Sequence, residues 1–565
     1  MNYKDVYNMW LKDEYFNNEI RKELDSIKHD ENEIKERFYK NLEFGTAGLR
    51  GIIGAGTNRM NDYTVARATY GLANYILKNV GKIGKDRGVV IAHDSRFKSR
   101  EFCLQAANTL AACGIKAYIF DGLRTTPELS FAVRHLNCIA GIVITASHNP
   151  PEYNGYKVYW EDGAQVMPNI ADEITKEVDS INDYSKIPTI KDYQKNLVVM
   201  LGYEQDTAFI EAVKKQFIGT DIVDRVGNNF KIVYTPLCGT GNIPIQRVLK
   251  EVGFEKVLTV KEEELPDPNF AGINYPNPED KKALERGIEL AKKECADLVI
   301  ATDPDCDRVG LAVKTKKGEY ELLTGNEIGA LLVNYVLDNL KEKNNLPQNS
   351  TIVKTIVTSE FGAKVAGSYG VDCLNVLTGF KFIGDKIKTF EETNEKTFIM
   401  GYEESYGYLV GTHARDKDGV VASMLISDMA AYYYNKGMSL YDGLMELYNK
   451  VGFFKEDMIS LTLSGIAGLE KIKAIMEYFR SNGLNEVAGI KVIESKDYNK
   501  GIEELPKSNV LKFILEDGSW IAARPSGTEP KLKFYISVNG SSFIDSKNKL
   551  STIKEALNNE IEKLV

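Results

Sequence analysis

The chain has 565 residues, too many for one hydrophobic core, and its length alone suggests about four domains. With 43% hydrophobic and 27% charged residues there is no ground for disorder, and a net charge of −9 argues against a general nucleic-acid or membrane-surface binder. Any phosphate site must therefore be locally basic inside an acidic protein.

Residues 1–40 read as a charged helical extension, with Val6/Trp10 and Tyr7/Leu11 each four apart. Beyond it, strand-like and helix-like segments alternate: strand 89–93, helix 101–113, strand 116–120, helix 127–135, strand 138–145. A second run follows with strand 231–235, helix 243–252, strand 256–260, helix 279–295 and strand 297–302. A third has helix 326–340, strand 351–357, helix 360–368 and strand 397–400. From about 456 the pattern changes to strand 458–463, helix 468–481, strands near Ile490, Leu511 and Leu532, and a terminal helix from Ser546. The alternation predicts α/β layers: three consecutive α/β domains with mixed, largely parallel sheets, then a smaller C-terminal α+β domain. The expected division is 1–40 (extension), 41–200, 201–318, 319–453 and 454–565, with linkers near 185–205, 310–325 and 450–456. Each α/β run ends in a strand delivering a polar loop, and ligands in open α/β sheets collect at such carboxyl ends.

The first of these loops, residues 145–157, carries Ser147 and His148 ahead of two prolines that stiffen its exit. Ser and Asn beside proline also make plain turns. On an extended chain His148 and Ser147 point oppositely, which makes the histidine a supporting group. The second loop, Asp303-Pro304-Asp305-Cys306-Asp307-Arg308, spaces its carboxylates so that they can converge on one hard cation. An EF-hand beginning at Asp303 is excluded, because Arg308 and Lys314 stand where glycine and glutamate are required. A phosphoserine carries nearly two negative charges, and a divalent cation beside it would offset them during transfer, so serine and aspartates explain each other. The third loop, 401–407, places Glu403 and Ser405 two apart, on one side of an extended segment and able to meet adjacent hydroxyls. Residues 378–381 set Lys381 beside Gly379, and Phe44 to Gly51 puts Arg50 among three glycines. Residues 524–531 gather Arg524, Ser526, Gly527 and Thr528 into a turn suited to phosphate.

These loops, in this order, resemble those of the α-D-phosphohexomutases, the family of phosphoglucomutase and phosphomannomutase, over roughly residues 40–545. The resemblance implies four domains around a central cleft. It implies phosphoryl transfer between C1 and C6 of a hexose phosphate through a phosphoserine and a bound bisphosphate, glucose 1,6-bisphosphate for glucose. It makes Ser147 the phosphoryl carrier and, with Asp303, Asp305 and Asp307, a ligand of Mg²⁺. Arg50 faces the serine, and Lys157 and Lys417 match positions proposed as acid or base. Arg308, Gly379, Lys381, Glu403 and Ser405 contact the sugar phosphate, while Arg524, Ser526, Gly527 and Thr528 hold the phosphate that is not reacting. Tyr402 and Tyr406 depart from the family's sugar loop, yet Glu403-Glu404-Ser405 is more similar to the phosphoglucomutase form than to bacterial phosphomannomutases. Pentose or mannose phosphates remain alternative substrates, and a non-catalytic phosphosugar sensor is the reading of a different class.

Seven dispersed cysteines without CxxC pairs fit reduced thiols. There is no secretory signal and no apolar run of the roughly 18 residues a membrane span needs. The expectation is a cytoplasmic protein, monomeric or dimeric, that binds a small sugar phosphate and neither nucleic acid nor membrane.

Overall fold

The fold is described from a computed structural model covering residues 2–45, 48–463, 465–502, 505–526 and 531–564, without the side chains of 220 and 465–467. The chain forms two compact units, one of Met1–Leu323, Phe380–Asn394 and Ser405–Ser439, the other of Thr324–Gly379, Glu395–Glu404 and Leu440–Val565.

Two sheets build the first unit. In the first, the strand order is Gly48–Ile52, Tyr153–Trp160, Ala140–Ile144, Val89–His93, Ala117–Phe120, Val198–Leu201. The last four are parallel, and Tyr153–Trp160 alone runs against its two neighbours. Val89–His93 and Ala140–Ile144 are buried at every residue, which is why they read as unbroken apolar runs. The second sheet runs Tyr320–Leu322, Val309–Lys314, Leu298–Thr302, Lys231–Thr235, Lys256–Thr259, again parallel at one side and antiparallel at the other. Residues 309–322, across most of the expected 310–325 linker, belong to this sheet. They form an edge hairpin whose turn uses Gly318 at φ 81°. Likewise Val198–Leu201, inside the other expected linker, pairs with Ala117–Phe120. Short strands joined by tight turns lack the helix-to-strand alternation by which the rest was read.

The N-terminal segment forms three helices, Tyr3–Lys12, Asn18–Ser26 and Glu31–Phe38, each opened by an Asn or Asp side chain that accepts from the first turn. Trp10, wholly buried, stacks on Phe16 at 4.2 Å and meets the edges of Phe38, Tyr63 and Tyr184.

In the second unit, Ser350–Thr355 lies between Asp372–Val376 and Thr397–Glu403, all parallel. The C-terminal sheet is antiparallel throughout, in the order Phe453–Thr462, Lys531–Gly540, Trp520–Pro525, Leu511–Leu515, Ile490–Asp497, Glu486–Val487. Helices Gly465–Asn482 and Phe543–Glu562 close its core through Ile475, Phe479, Ile553 and Leu557. Among the described residues no helix is long and apolar enough to cross a membrane.

Trp10→Ala removes the centre of the N-terminal aromatic cluster. Chemical denaturation should show a loss of about 3–5 kcal/mol.

Candidate active site

The buried strand Ala140–Ile144 ends in a turn where Ser147 adopts φ 53°, the left-handed conformation that side-chain-bearing residues avoid. What holds it there is Arg96. Its Nη1 donates to the carbonyls of Pro150 (2.8 Å) and Tyr153 (3.0 Å), and its Nη2 to those of Ser147 and Asn149. Asp94 pairs with Arg96 Nε at 3.3 Å, both side chains fully buried, and the ring of Phe270 stacks on the guanidinium at 4.8 Å. One arginine thus replaces the hydrogen bonds a strand would have given four consecutive-loop carbonyls.

Ser147 N donates to Thr145 Oγ1 (2.8 Å), and the hydroxyl points into the acidic loop, donating to Asp303 Oδ2 at 2.8 Å. Arg308 Nη1 donates to Ser147 Oγ at 3.0 Å. His148 Nδ1 lies 3.2 Å from the same oxygen and also meets Arg308 Nη1. The expectation that His148 faces away is therefore corrected: it assumed an extended chain, and the left-handed Ser147 turns both side chains to one side. Burial, followed by the charges of Arg308 and Arg50, pushes His148 well below the ordinary imidazole range, so the ring is neutral. Arg50 stands on the neighbouring strand Gly48–Ile52 and reaches Asn149 Oδ1 at 3.4 Å.

Asp303, Asp305 and Asp307 are all buried, with one oxygen from each lying within 4.8 Å of the others. The main chain of their loop is gripped from three directions. Thr240 donates to the Pro304 carbonyl through N–H and hydroxyl (2.8 and 2.9 Å), Thr126 N to that of Asp305 (2.9 Å), and Gly419 N to that of Cys306 (3.0 Å). Thr126 and Gly419 begin the helices Thr126–His135 and Gly419–Asn435, whose positive ends thus face the carboxylates. Gly419 has no room for a side chain, since a Cβ would sit 2.6 Å from the Cys306 oxygen; at Gly239 one would sit 2.4 Å from Pro304 Cα.

Asp303 has both oxygens engaged, Asp305 and Asp307 one each. Asp303 Oδ1 accepts from the backbone of Asp307 and Arg308, both 3.0 Å. Asp305 Oδ2 accepts from Lys157 Nζ (2.8 Å), and Asp307 Oδ2 pairs with Lys417 (3.2 Å) and Lys157 (3.6 Å). Asp305 Oδ1 and Asp307 Oδ1 are buried with no hydrogen-bond partner among the described residues. Three clustered carboxylates, two of them with an orphaned oxygen and the third bound to Ser147, form a donor set that suits a hard divalent cation. Burial, then Asp305 and Asp307, pushes Asp303 well above the usual carboxylate range. Burial opposes ionisation of Asp307 as well, but Lys417, Lys157 and Arg308 outweigh it and hold Asp307 low. Lys417 is itself fixed by Asp416 (2.9 Å), which accepts from Tyr159 (2.7 Å) and Gln165 (2.9 Å).

Lys381 opens the helix Lys381–Thr393 and is buried; desolvation lowers its ammonium to about 8 against a small opposing pull from Asp172. In the second unit, Glu403 Oε1 accepts from Gly379 N (2.9 Å), with Gly379 at φ 112°. The segment is not extended through Ser405, as the same-side reading required: the strand ends at Glu403, and 404–406 form a turn with Tyr406 at φ 64°. Glu404 is occupied by the hydroxyls of Thr355 (3.2 Å) and Thr358 (3.1 Å). Arg524 lies on Trp520–Pro525 and hydrogen-bonds the Tyr535 hydroxyl, and Ser526 N donates to Lys531 O (2.8 Å). Gly527 and Thr528 fall outside the described residues. Sequence reasoning missed Thr126, Thr240, Gly419 and Phe270, and the carbonyls that Arg96 serves; these contacts run to distant main-chain atoms or between a ring and a guanidinium, which leave no local pattern.

Models of the phosphoglucomutase/phosphomannomutase α/β/α domains I, II and III match residues 41–185, 207–318 and 324–451, and the family's C-terminal domain matches 471–542. A phosphoglucomutase of Staphylococcus haemolyticus is 38% identical over 526 residues, covering 90% of this chain and 92% of the relative. One of Staphylococcus epidermidis is 37% identical, with 96% and 97% covered. The crystal structure of parafusin, a phosphoglucomutase of Paramecium, shares the fold at a TM-score of 0.70 and 20% identity, covering 93% of this chain and 95% of that one.

Arg96→Met strands the buried Asp94 and four carbonyls. Stability should fall by about 3–5 kcal/mol, read from urea midpoints at constant slope.

Proposed function

The chain belongs to the phosphoglucomutase/phosphomannomutase family of intramolecular phosphotransferases, and on that premise we propose that it interconverts glucose 1-phosphate and glucose 6-phosphate through phosphorylated Ser147. The observation that carries this reading is the Ser147 hydroxyl 2.8 Å from Asp303 inside a cluster of three buried carboxylates. A nucleophile that must bear a dianion is placed where a cation can be held. The preference for glucose rests on the relatives named phosphoglucomutase and on Glu403-Glu404-Ser405.

Asp303, Asp305, Asp307 and the oxygen on Ser147 would hold Mg²⁺, which when bound offsets the charge of the phosphoserine. Phospho-Ser147 passes its phosphoryl group to the free hydroxyl of the sugar phosphate. The P–Oγ bond breaks, a bond from phosphorus to the sugar oxygen forms, and the hydroxyl proton moves to Lys157 or Lys417 as that ammonium hands its own proton to the departing Ser147 oxygen; both lysines reach Asp307. Arg308 donates a hydrogen bond to the departing Ser147 oxygen. Glucose 1,6-bisphosphate then turns over and returns its other phosphoryl group to Ser147. His148 and Arg50 support the loop from either side. Gly379, Lys381, Glu403 and Ser405 are assigned to the sugar phosphate, and Arg524, Ser526, Gly527 and Thr528 to the non-reacting phosphate. A cytoplasmic location goes with this role.

The reading is tested by turnover of glucose, mannose and ribose 1-phosphates with Mg²⁺ and a trace of glucose 1,6-bisphosphate. Glucose 1-phosphate should be preferred. Ser147→Ala should abolish turnover and still bind substrate in calorimetry; residual turnover in that variant would remove Ser147 as the carrier. Lys381 gives a pH signature: its lowered ammonium loses charge as pH rises through about 8. KM should therefore climb above that pH, and Lys381→Met should raise KM at pH 7 and flatten the climb.

A further inference from the structure

Asp305 is held unlike its two neighbours. Thr126 grips it twice, by N–H to its carbonyl (2.9 Å) and by Oγ1 to its Oδ2 (3.0 Å). Lys157 Nζ takes the same Oδ2 at 2.8 Å, so two donors load one oxygen and Oδ1 is left bare and buried. The carboxylate cannot rotate without breaking both bonds. Thr126 is itself fully buried, at the start of a helix packed on Val89–His93 and Ala140–Ile144, strands of the first sheet. Asp305 follows a strand of the second.

We propose that Thr126 is a positioning residue for the divalent cation: by fixing Oδ2 of Asp305 through its hydroxyl, it presents Oδ1 as the ligand atom. This rests on the reading of Asp303, Asp305 and Asp307 as the cation's carboxylates. Thr126 belongs to no motif of the phosphate or sugar loops, and it arrives from a different sheet than the aspartate it orients. Cation affinity is thereby tied to the packing of the first sheet's helix against the second sheet's loop. Groups that orient a metal ligand from behind commonly account for a factor of about 10–100 in affinity. Thr126→Val keeps the shape and the backbone N–H and removes only the hydroxyl.

The test is titration of the full chain with Mg²⁺, and separately Mn²⁺, by calorimetry without substrate, on wild type, Thr126→Val, Thr126→Ser and Asp305→Asn. Thr126→Val should bind about 10–100-fold more weakly, and Thr126→Ser, which restores the hydroxyl, within about threefold of wild type. Saturating Mg²⁺ should return kcat of Thr126→Val to near the wild-type value, which a folding defect would not allow. Thr126→Val with wild-type affinity overturns the proposal, as does weak binding that Thr126→Ser fails to restore. Should Thr126→Val not fold, the Thr126→Ser and Thr126→Ala pair carries the same comparison, and equal affinities there also overturn it. If instead wild type and Asp305→Asn bind alike, the aspartates are not the cation's ligands and the underlying reading falls first.

Discussion

Everything at this site depends on how residues 303–308 are suspended. Three successive carbonyls, of Pro304, Asp305 and Cys306, each accept from a different element: the turn at Thr240, the helix start at Thr126 and the helix start at Gly419. Buried carboxylates repel one another and lose hydration, so left alone the loop would open toward water. Backbone donors from three sides make the closed arrangement the satisfied one, and the lysines and Arg308 supply the countercharge.

The serine side shows the same economy with a different tool. A left-handed, non-glycine Ser147 is costly, by about 1–3 kcal/mol for such conformations. Arg96 meets that cost with four carbonyl contacts while staying buried against Asp94 and Phe270. Phe270 and Ala271 are themselves left-handed, so the segment that brings the ring to Arg96 is strained in its turn. Strain here is concentrated where two loops must meet with fixed geometry, and the surrounding sheets bear it.

Much of this was legible in the sequence, and the reason differs by element. Strands such as Val89–His93 and Leu298–Thr302 announce themselves because burial on both faces demands unbroken apolar residues. The two loops, at 145–157 and 303–308, stand out because a serine ahead of two prolines, and aspartates at alternate positions, are chemically unusual. Tyr153–Trp160, an inner strand of the first sheet, stayed hidden because the loop reading of 145–157 covers its first half, although Tyr156, Val158 and Trp160 alternate onto the core. The contacts made by Arg96 and Thr126 stayed hidden for a deeper reason. Their work is done on atoms 51 to 57 and 179 residues away, and on main chain as much as side chain, so nothing near them in the sequence marks the role. The same-side reading of Glu403 and Ser405 assumed an extended segment, whereas the strand ends at Glu403 and 404–406 form a turn.

The three-way suspension also orders events during synthesis. Thr126 and Thr240 have left the ribosome before residues 303–308 appear, so two of the three carbonyls can be captured as the loop emerges. Gly419 follows only after a further stretch of chain, and until then the Cys306 carbonyl has no donor from that helix. A nascent chain halted between those points would carry its acidic residues assembled on one flank and unanchored on the other. Completion of the metal-binding geometry is therefore a late, long-range event, and a truncated product would be expected to fold its sheets yet lack a finished centre.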